Sequence, residues 1–171
     1  MALGISPMPS SLKSRRAMLK LLEETHATNP GINTGPIFEL GSGWGNLLIP
    51  LAKQYPQQKI VGYELSFIPW LITWILIKVL GLNNAKVIRK NFIKENLTQA
   101  SVIFCYLYPE AMEEIDKKIK EEANRIEDEN THLKYLISNN FSLPHHDPIK
   151  TIELDDLYRS PVHLYELKGV R

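Results

Sequence analysis

The sequence predicts an α/β chain built on a mostly parallel sheet, and three stretches carry that reading. The first is Ile37-Phe38-Glu39-Leu40-Gly41-Ser42-Gly43-Trp44-Gly45-Asn46, a short apolar run that passes a carboxylate and breaks into three alternating glycines. Leu47 to Ala52, apolar and interrupted only by Pro50, follows at once. Strand, tight turn and helix start in that order present backbone N–H groups to a ligand. The second stretch is Lys59-Ile60-Val61-Gly62-Tyr63, a further strand that runs into Glu64, about 20 residues past the glycines. The third is the C-terminus, where Lys150–Asp155 and Val162–Lys168 alternate with period two around Tyr158-Arg159-Ser160-Pro161. That pattern is a hairpin closing the sheet. Seven strands result, one of them antiparallel.

Length and composition fit one such unit. The chain has 171 residues, 44% hydrophobic and 23% charged, which is ordinary for a globular fold. We divide it into residues 1–36, an N-terminal helix with a lead-in loop, and residues 37–171, the sheet domain. A net charge of +1 gives no electrostatic case for a nucleic-acid partner. The single Cys105 excludes an internal disulfide and lies in an apolar strand, where a thiol is normally buried and inert. The N-terminus lacks the charged-then-apolar order of a signal peptide, so a cytoplasmic location is expected.

Taken in order, Pro7 and Pro9 make the first ten residues irregular. Ser10 or Ser11 can cap a helix running to about Glu24, with Leu12, Met18, Leu21 and Leu22 inward. Residues 29–36 read as a loop, and Pro50 falls in or near the first turn of its helix, where a missing N–H costs little. Phe67 to Ile77 is apolar on every side, so periodicity assigns it no single buried face. It is shorter than the about 20 residues needed to cross a bilayer. Pro69 suits its first turn and Gly81 its end. Such a helix should leave Trp or Ile exposed, which points to a dimer, partner or membrane-surface contact. Ala85–Lys90 is the third strand and Ser101–Pro109 the fourth. Glu110–Arg125 is a helix with Met112, Ile115 and Ile119 inward. His132–Asn140 is the fifth strand, and a long loop follows to Asp147. His145-His146-Asp147 is the one metal-like cluster, and it lacks a third ligand at sensible spacing, so no metal is expected.

The turn departs from a dinucleotide fingerprint because Asn46 stands where the last glycine belongs. Glu39 suits a cationic or hydrogen-bond-donating ligand better than a phosphate. Glu64 can accept both hydroxyls of a ribose. Two carboxylates flanking a glycine turn fit a nucleoside that carries an amino-acid or sulfonium charge.

Glu39-Leu40-Gly41-Ser42-Gly43-Trp44-Gly45 with Gly62-Tyr63-Glu64-Leu65 resembles the first two motifs of class I S-adenosylmethionine-dependent methyltransferases. The resemblance covers Ile37 to Pro109 by motif and the remainder by strand order, and it implies the Rossmann-like fold of that class. It implies that Glu39, Gly41, Ser42, Gly43 and Gly45 hold the methionine part of S-adenosylmethionine, with S-adenosylhomocysteine as product. Glu64 then takes the ribose, Leu65 beside it belongs to the cofactor-binding set, and Asn91 and Phe92 lie beside the adenine, although an acid is commoner than Asn at the former position. Pro7-Met8-Pro9-Ser10 and Arg15-Arg16 loosely match the segment that covers the cofactor in similar enzymes.

The end of the fourth strand is where an acceptor meets the methyl group in that class. An Asn/Asp-Pro-Pro-Tyr motif and an acidic metal cluster are both missing there. Tyr106-Leu107-Tyr108-Pro109 instead resembles the Tyr-Leu-x-Pro segment of small protein lysine methyltransferases, a group that includes the mitochondrial enzyme acting on the ATP synthase c-subunit. That resemblance makes Tyr106, Tyr108 and Pro109 the candidate catalytic residues and a protein the expected substrate. A small-molecule or RNA methyltransferase, or a non-catalytic interaction module on the same fold, remains open at this stage.

Overall fold

The computed structural model describes residues 11–125 and 133–167. Seven strands form one sheet: β1 (Ile37–Leu40), β2 (Ile60–Tyr63), β3 (Ala85–Ile88), β4 (Val102–Cys105), β5 (Tyr135–Asn139), β6 (Lys150–Glu153) and β7 (Pro161–Glu166). Their order is β3-β2-β1-β4-β5-β7-β6, with β7 antiparallel to both of its neighbours. The chain steps from β1 to β2 and β3 on one side, then crosses back to β4 on the other. The strand order therefore reverses between β1 and β4, which opens a crevice beyond their carboxyl ends.

Helices α1 (Leu12–Thr28), α2 (Leu48–Gln54) and α3 (Phe67–Val79) supply core residues to one face of the sheet, and α4 (Pro109–Arg125) covers the other. Strands alternate between the two cores. Ile37, Phe104 and Ile137 pack with Met18, Leu21 and Leu51, whereas Phe38, Ile103 and Leu136 pack with Met112, Ile115 and Ile119. Sheets covered on both faces need continuous apolar strands, and β1, β2, β4 and β5 are buried at every position. Each wholly buried Leu or Ile, such as Leu21 or Ile103, contributes about 1.5–3 kcal/mol.

Local differences from the sequence reading have local causes. Ser11 is the cap of α1, its hydroxyl accepting from the Ser14 N–H at 3.1 Å, and Ser10 lies outside the described residues. Leu12 follows the cap directly and is 62% exposed, so it does not belong to the inward face. The helix runs past Glu24 to Thr28, with Thr25 buried and its hydroxyl donating back to the Leu21 carbonyl. Pro30–Thr34 is a 3-10 turn rather than an open loop. Strand β4 stops at Cys105, because Pro109 takes the first position of α4 and the Tyr108 carbonyl accepts the N–H groups of Ala111 and Met112. His132 and Lys168, expected at strand ends, lie outside the described residues. Pro50 and Pro69 each stand third in their helices, where no intrahelical N–H bond is lost. Gly81, at φ 63°, closes α3. The Leu82 N–H reaches the Ile77 carbonyl and the Gly81 N–H the Lys78 carbonyl, the paired bonds of a Schellman end.

The loop between β5 and β6 is pinned to α4. Buried Asp116 accepts from Lys120 at 2.8 Å and pairs with Nδ1 of His145 and of His146 at 2.7 Å each. Burial alone would raise its carboxyl, but the bonds from Lys120, His145 and His146 outweigh that and hold it below the usual range. Both histidines thus serve a carboxylate on a neighbouring helix. Among the described residues no group of three or more His, Cys, Asp or Glu side chains is placed to hold a metal ion.

The tightest steric demand falls on Gly62 in β2. A Cβ there would lie 2.3 Å from Cδ1 of Leu48 and 2.8 Å from Oγ of Ser42, so α2 and the glycine turn both rest on this bare backbone. Gly62→Ala should destabilise the chain by about 1–3 kcal/mol through overpacking, read as a lowered Tm in thermal unfolding. An unchanged Tm would show that Leu48 and Ser42 can move aside freely.

Candidate active site

The three glycines of the turn all have left-handed backbones, with φ of 73° at Gly41, 51° at Gly43 and 74° at Gly45. A side chain would be strained at each, which explains the alternating pattern. The turn is fixed to β2 by two bonds, from the Gly41 and Ser42 N–H groups to the Tyr63 carbonyl at 2.9 Å. A Cβ on Gly45 would lie 2.9 Å from Cγ2 of Thr73, so α3 packs hard against the far end of the turn.

Glu64 ties these parts together. Its Oε2 accepts the Gly43 N–H at 2.8 Å and its Oε1 accepts the Ser66 N–H at 2.7 Å, at the start of α3. The residue is buried. Thr73 adds a second tie, its hydroxyl donating to the Gly43 carbonyl at 2.9 Å. Sequence reasoning missed Thr73, although a signal was present: it is the one hydroxyl residue within the apolar run Phe67–Ile77. On the other side Arg15 of α1 donates from Nη1 to the Asn46 carbonyl at 2.9 Å. The basic helix therefore does touch the turn, while Pro7 to Ser10 lie outside the described residues.

Glu39 sits in β1 between Gly62 of β2 and Phe104 of β4 and is buried. Burial raises its carboxyl well above the usual range, the nearby Glu64 adds to the rise, and a bond from the Leu48 N–H opposes it. Among the described residues, its Oε2 has no hydrogen-bond partner, and neither does Oγ of buried Ser42. Buried polar atoms without partners are costly, and a ligand that brings N–H donors and positive charge removes that cost. The two orphaned oxygens beside the glycine turn therefore fit the amino-acid end of a nucleoside sulfonium such as S-adenosylmethionine.

The opposite lip comes from the end of β4. Tyr106, Leu107 and Tyr108 are half-buried and Pro109 is exposed. A Cβ on Gly41 would lie 3.1 Å from Cδ2 of Leu107, so this lip is seated directly on the glycine turn. Cys105 behind it is buried and its thiol is pushed up to about 12 by that burial, which leaves it protonated.

The fold thus gathers Glu39, Gly41, Ser42, Gly43, Gly45, Glu64, Tyr106 and Tyr108 around the ends of β1, β2 and β4. The remaining sequence-derived residues lie further along the same edge. Leu65 is 63% exposed, with its carbonyl accepting from Arg89 Nε. Asn91 follows β3 and caps a 3-10 turn (Phe92–Lys94), its Oδ1 accepting the Ile93 N–H at 3.0 Å. Phe92 is half-buried and packs on the core beneath α4.

Comparison with known proteins agrees with this fold. The family model described as the ANTKMT methyltransferase domain matches residues 39–150. An RNA methyltransferase from Salinibacter ruber, solved with S-adenosyl-L-homocysteine, superposes with a TM-score of 0.75 at 18% identity, over 96% of this chain and 97% of that one. The magnesium protoporphyrin IX methyltransferase of Synechocystis PCC 6803, solved with bound SAM, gives 0.63 at 13% identity, over 91% and 80%. A SAM-dependent methyltransferase from Aquifex aeolicus gives 0.57 at 17%, over 89% and 97%. No curated protein sequence matches the chain. At such identities the solved structures carry the fold, and the family model carries the membership. The chain belongs to the ANTKMT methyltransferase domain family, and its fold is that of class I methyltransferases solved with S-adenosylmethionine or S-adenosyl-L-homocysteine.

Proposed function

We propose that this chain N-methylates a lysine side chain of a protein substrate. The observation that carries the reading is the Tyr106-Leu107-Tyr108-Pro109 lip, held against Gly41 by Leu107 in a chain of this family. When bound, S-adenosylmethionine supplies an electrophilic methyl group. Glu39 and Ser42 take its amino-acid end, Glu64 its ribose, and Asn91 and Phe92 flank its adenine.

The work left to the protein is alignment and deprotonation of the acceptor. Displacement at a methyl carbon needs a lone pair in line with the leaving group, and positioning supplies much of the rate. A lysine must first lose a proton, which from a pKa near 10.4 costs about 4–5 kcal/mol at pH 7. Half-buried aromatic walls lower that cost by disfavouring the ammonium form in an apolar channel. Tyr106 and Tyr108 form those walls, and the backbone carbonyls of Tyr106 and Leu107 orient the amine. The lip needs no charged base for this.

The direct test is transfer of labelled methyl groups into a protein lysate, followed by acid hydrolysis. Methylated lysine should carry the label, and label recovered only in RNA or small molecules would overturn the acceptor assignment. Tyr106→Ala should leave cofactor affinity intact and lower turnover by about 10- to 100-fold, as misplaced acceptors do. Equal losses in binding and turnover would instead put Tyr106 on the cofactor.

Glu39 gives a pH test. A cation beside it favours the ionised carboxylate, so affinity for S-adenosylhomocysteine should rise with pH, by at most about tenfold per unit, until free Glu39 ionises, and then level off. Glu39→Gln should flatten that profile and weaken binding. A carboxyl raised by folding also makes the ligand-free protein less stable as pH climbs from the unfolded value, near ~4.3, through the folded one. The same variant should therefore have a higher Tm at neutral pH without ligand. A pH-independent affinity in the wild type would remove Glu39 from the cofactor.

A further inference from the structure

Helix α3 has two different sides. Pro69, Thr73 and Ile77 are buried, Thr73 is bonded to the glycine turn, and Trp70 Nε1 donates to the Val87 carbonyl at 3.4 Å. The other side is a row of exposed apolar residues at helical spacing, Ile68, Ile72, Ile75 and Val79, flanked by exposed Phe67 and Trp74. Val79 is 76% exposed and Ile68 62%, a contiguous apolar strip of the kind that marks an interaction surface.

What surrounds the strip selects its partner. From Leu65 to Lys94 the sequence contains Lys78, Lys86, Arg89, Lys90 and Lys94 and no Asp or Glu, although the whole chain has 20 basic and 19 acidic residues. Lys90 is paired with Glu95 at 3.0 Å. Arg89 lies at one end of the strip, and Lys78 with Lys86 toward the other. The Arg89 guanidinium lies 5.3 Å over the Phe67 ring, and Lys78 and Lys86 line one groove with Trp74. A second copy docking through this face would bring these cations close to one another, which disfavours a two-fold dimer. A helix of 13 residues is about 20 Å long, too short to cross a bilayer, and none of the described helices is long and apolar enough to do so.

We infer that α3 is a docking surface for an anionic lipid bilayer. Ile68, Ile72, Ile75 and Val79 enter the headgroup boundary, Trp74 and Phe67 sit at its level, and Lys78, Lys86 and Arg89 meet lipid phosphates. Because Thr73 and the Ser66–Glu64 bond fix α3 to the glycine turn, docking brings the Glu64 edge of the crevice toward the membrane plane.

The test is co-flotation of the full chain with large unilamellar vesicles. Vesicles of phosphatidylcholine with about 30% phosphatidylglycerol should carry the protein, and pure phosphatidylcholine or about 0.5 M NaCl should weaken partition at least tenfold. Lys78→Ser with Lys86→Ser should cost about tenfold on the anionic vesicles. Ile72→Glu with Ile75→Glu should abolish co-flotation while circular dichroism and S-adenosylhomocysteine binding stay as in the wild type. Equal binding to neutral and anionic vesicles, or no binding to either, would overturn the proposal. So would a stable dimer in sedimentation velocity that the Ile72→Glu, Ile75→Glu pair dissociates.

Discussion

A single carboxylate, Glu64, holds the functional end of this molecule in shape. Its two oxygens accept backbone N–H groups from Gly43 and Ser66, one in the glycine turn and one at the head of α3. Hydrogen bonds to a charged acceptor contribute about 1.5–3 kcal/mol each, more than neutral ones. Three elements that are remote in sequence thereby meet at one point: the turn after β1, the end of β2 and the start of α3. The bare Cα of Gly62 lets α2 and Ser42 close on the same point from the side. Beside that clasp lies Glu39, whose carboxyl is raised well above the usual range by burial. Among the described residues its Oε2 has no hydrogen-bond partner, and the nearby Glu64 adds a smaller rise to that of burial. A ligand that brings N–H donors and positive charge removes the cost of that buried oxygen.

Much of the fold was legible because its signals are local. A β-strand buried on both faces must be apolar throughout, and Ile37–Leu40, Ile60–Tyr63 and Val102–Cys105 announce themselves that way, the buried Glu39 aside. Glycines at φ near 50–74° cannot be exchanged freely, so the turn stands out as well. The hairpin alternation announced β6 and β7 as an antiparallel pair, and the pairing with β5 makes β7 the reversed strand. Boundaries were less legible, because they depend on competition between elements. Pro109 could end a strand or open a helix, and only the bonds to the Tyr108 carbonyl decide for the helix.

The site was legible in its acids and glycines and illegible in its supports. Thr73 and Asp116 act across sequence separations of 30 and 29 to 30 residues, and no short pattern encodes such partners. His145 and His146 show the same limit. Read alone they were polar loop residues, and their partner, Asp116 on a neighbouring helix, which engages both rings at Nδ1, could not be read. Asn91 was read beside an adenine, and its Oδ1 is engaged in a local cap, which changes what the side chain has left to offer. Helix α3 lay between these cases. Its all-round apolarity concealed which side was buried, and packing of Thr73 against Gly45 settles the matter, leaving the Ile68–Val79 strip outside.

In the proposed function Glu64 serves both the turn and the ribose of the cofactor. Calorimetric titration of S-adenosylhomocysteine into the wild type and into Glu64→Ala measures that directly. Micromolar binding by the wild type, reduced at least tenfold in a variant that keeps its fold by circular dichroism, is the predicted result. Undiminished affinity in folded Glu64→Ala would contradict it, and Glu64 would then be a structural clasp alone.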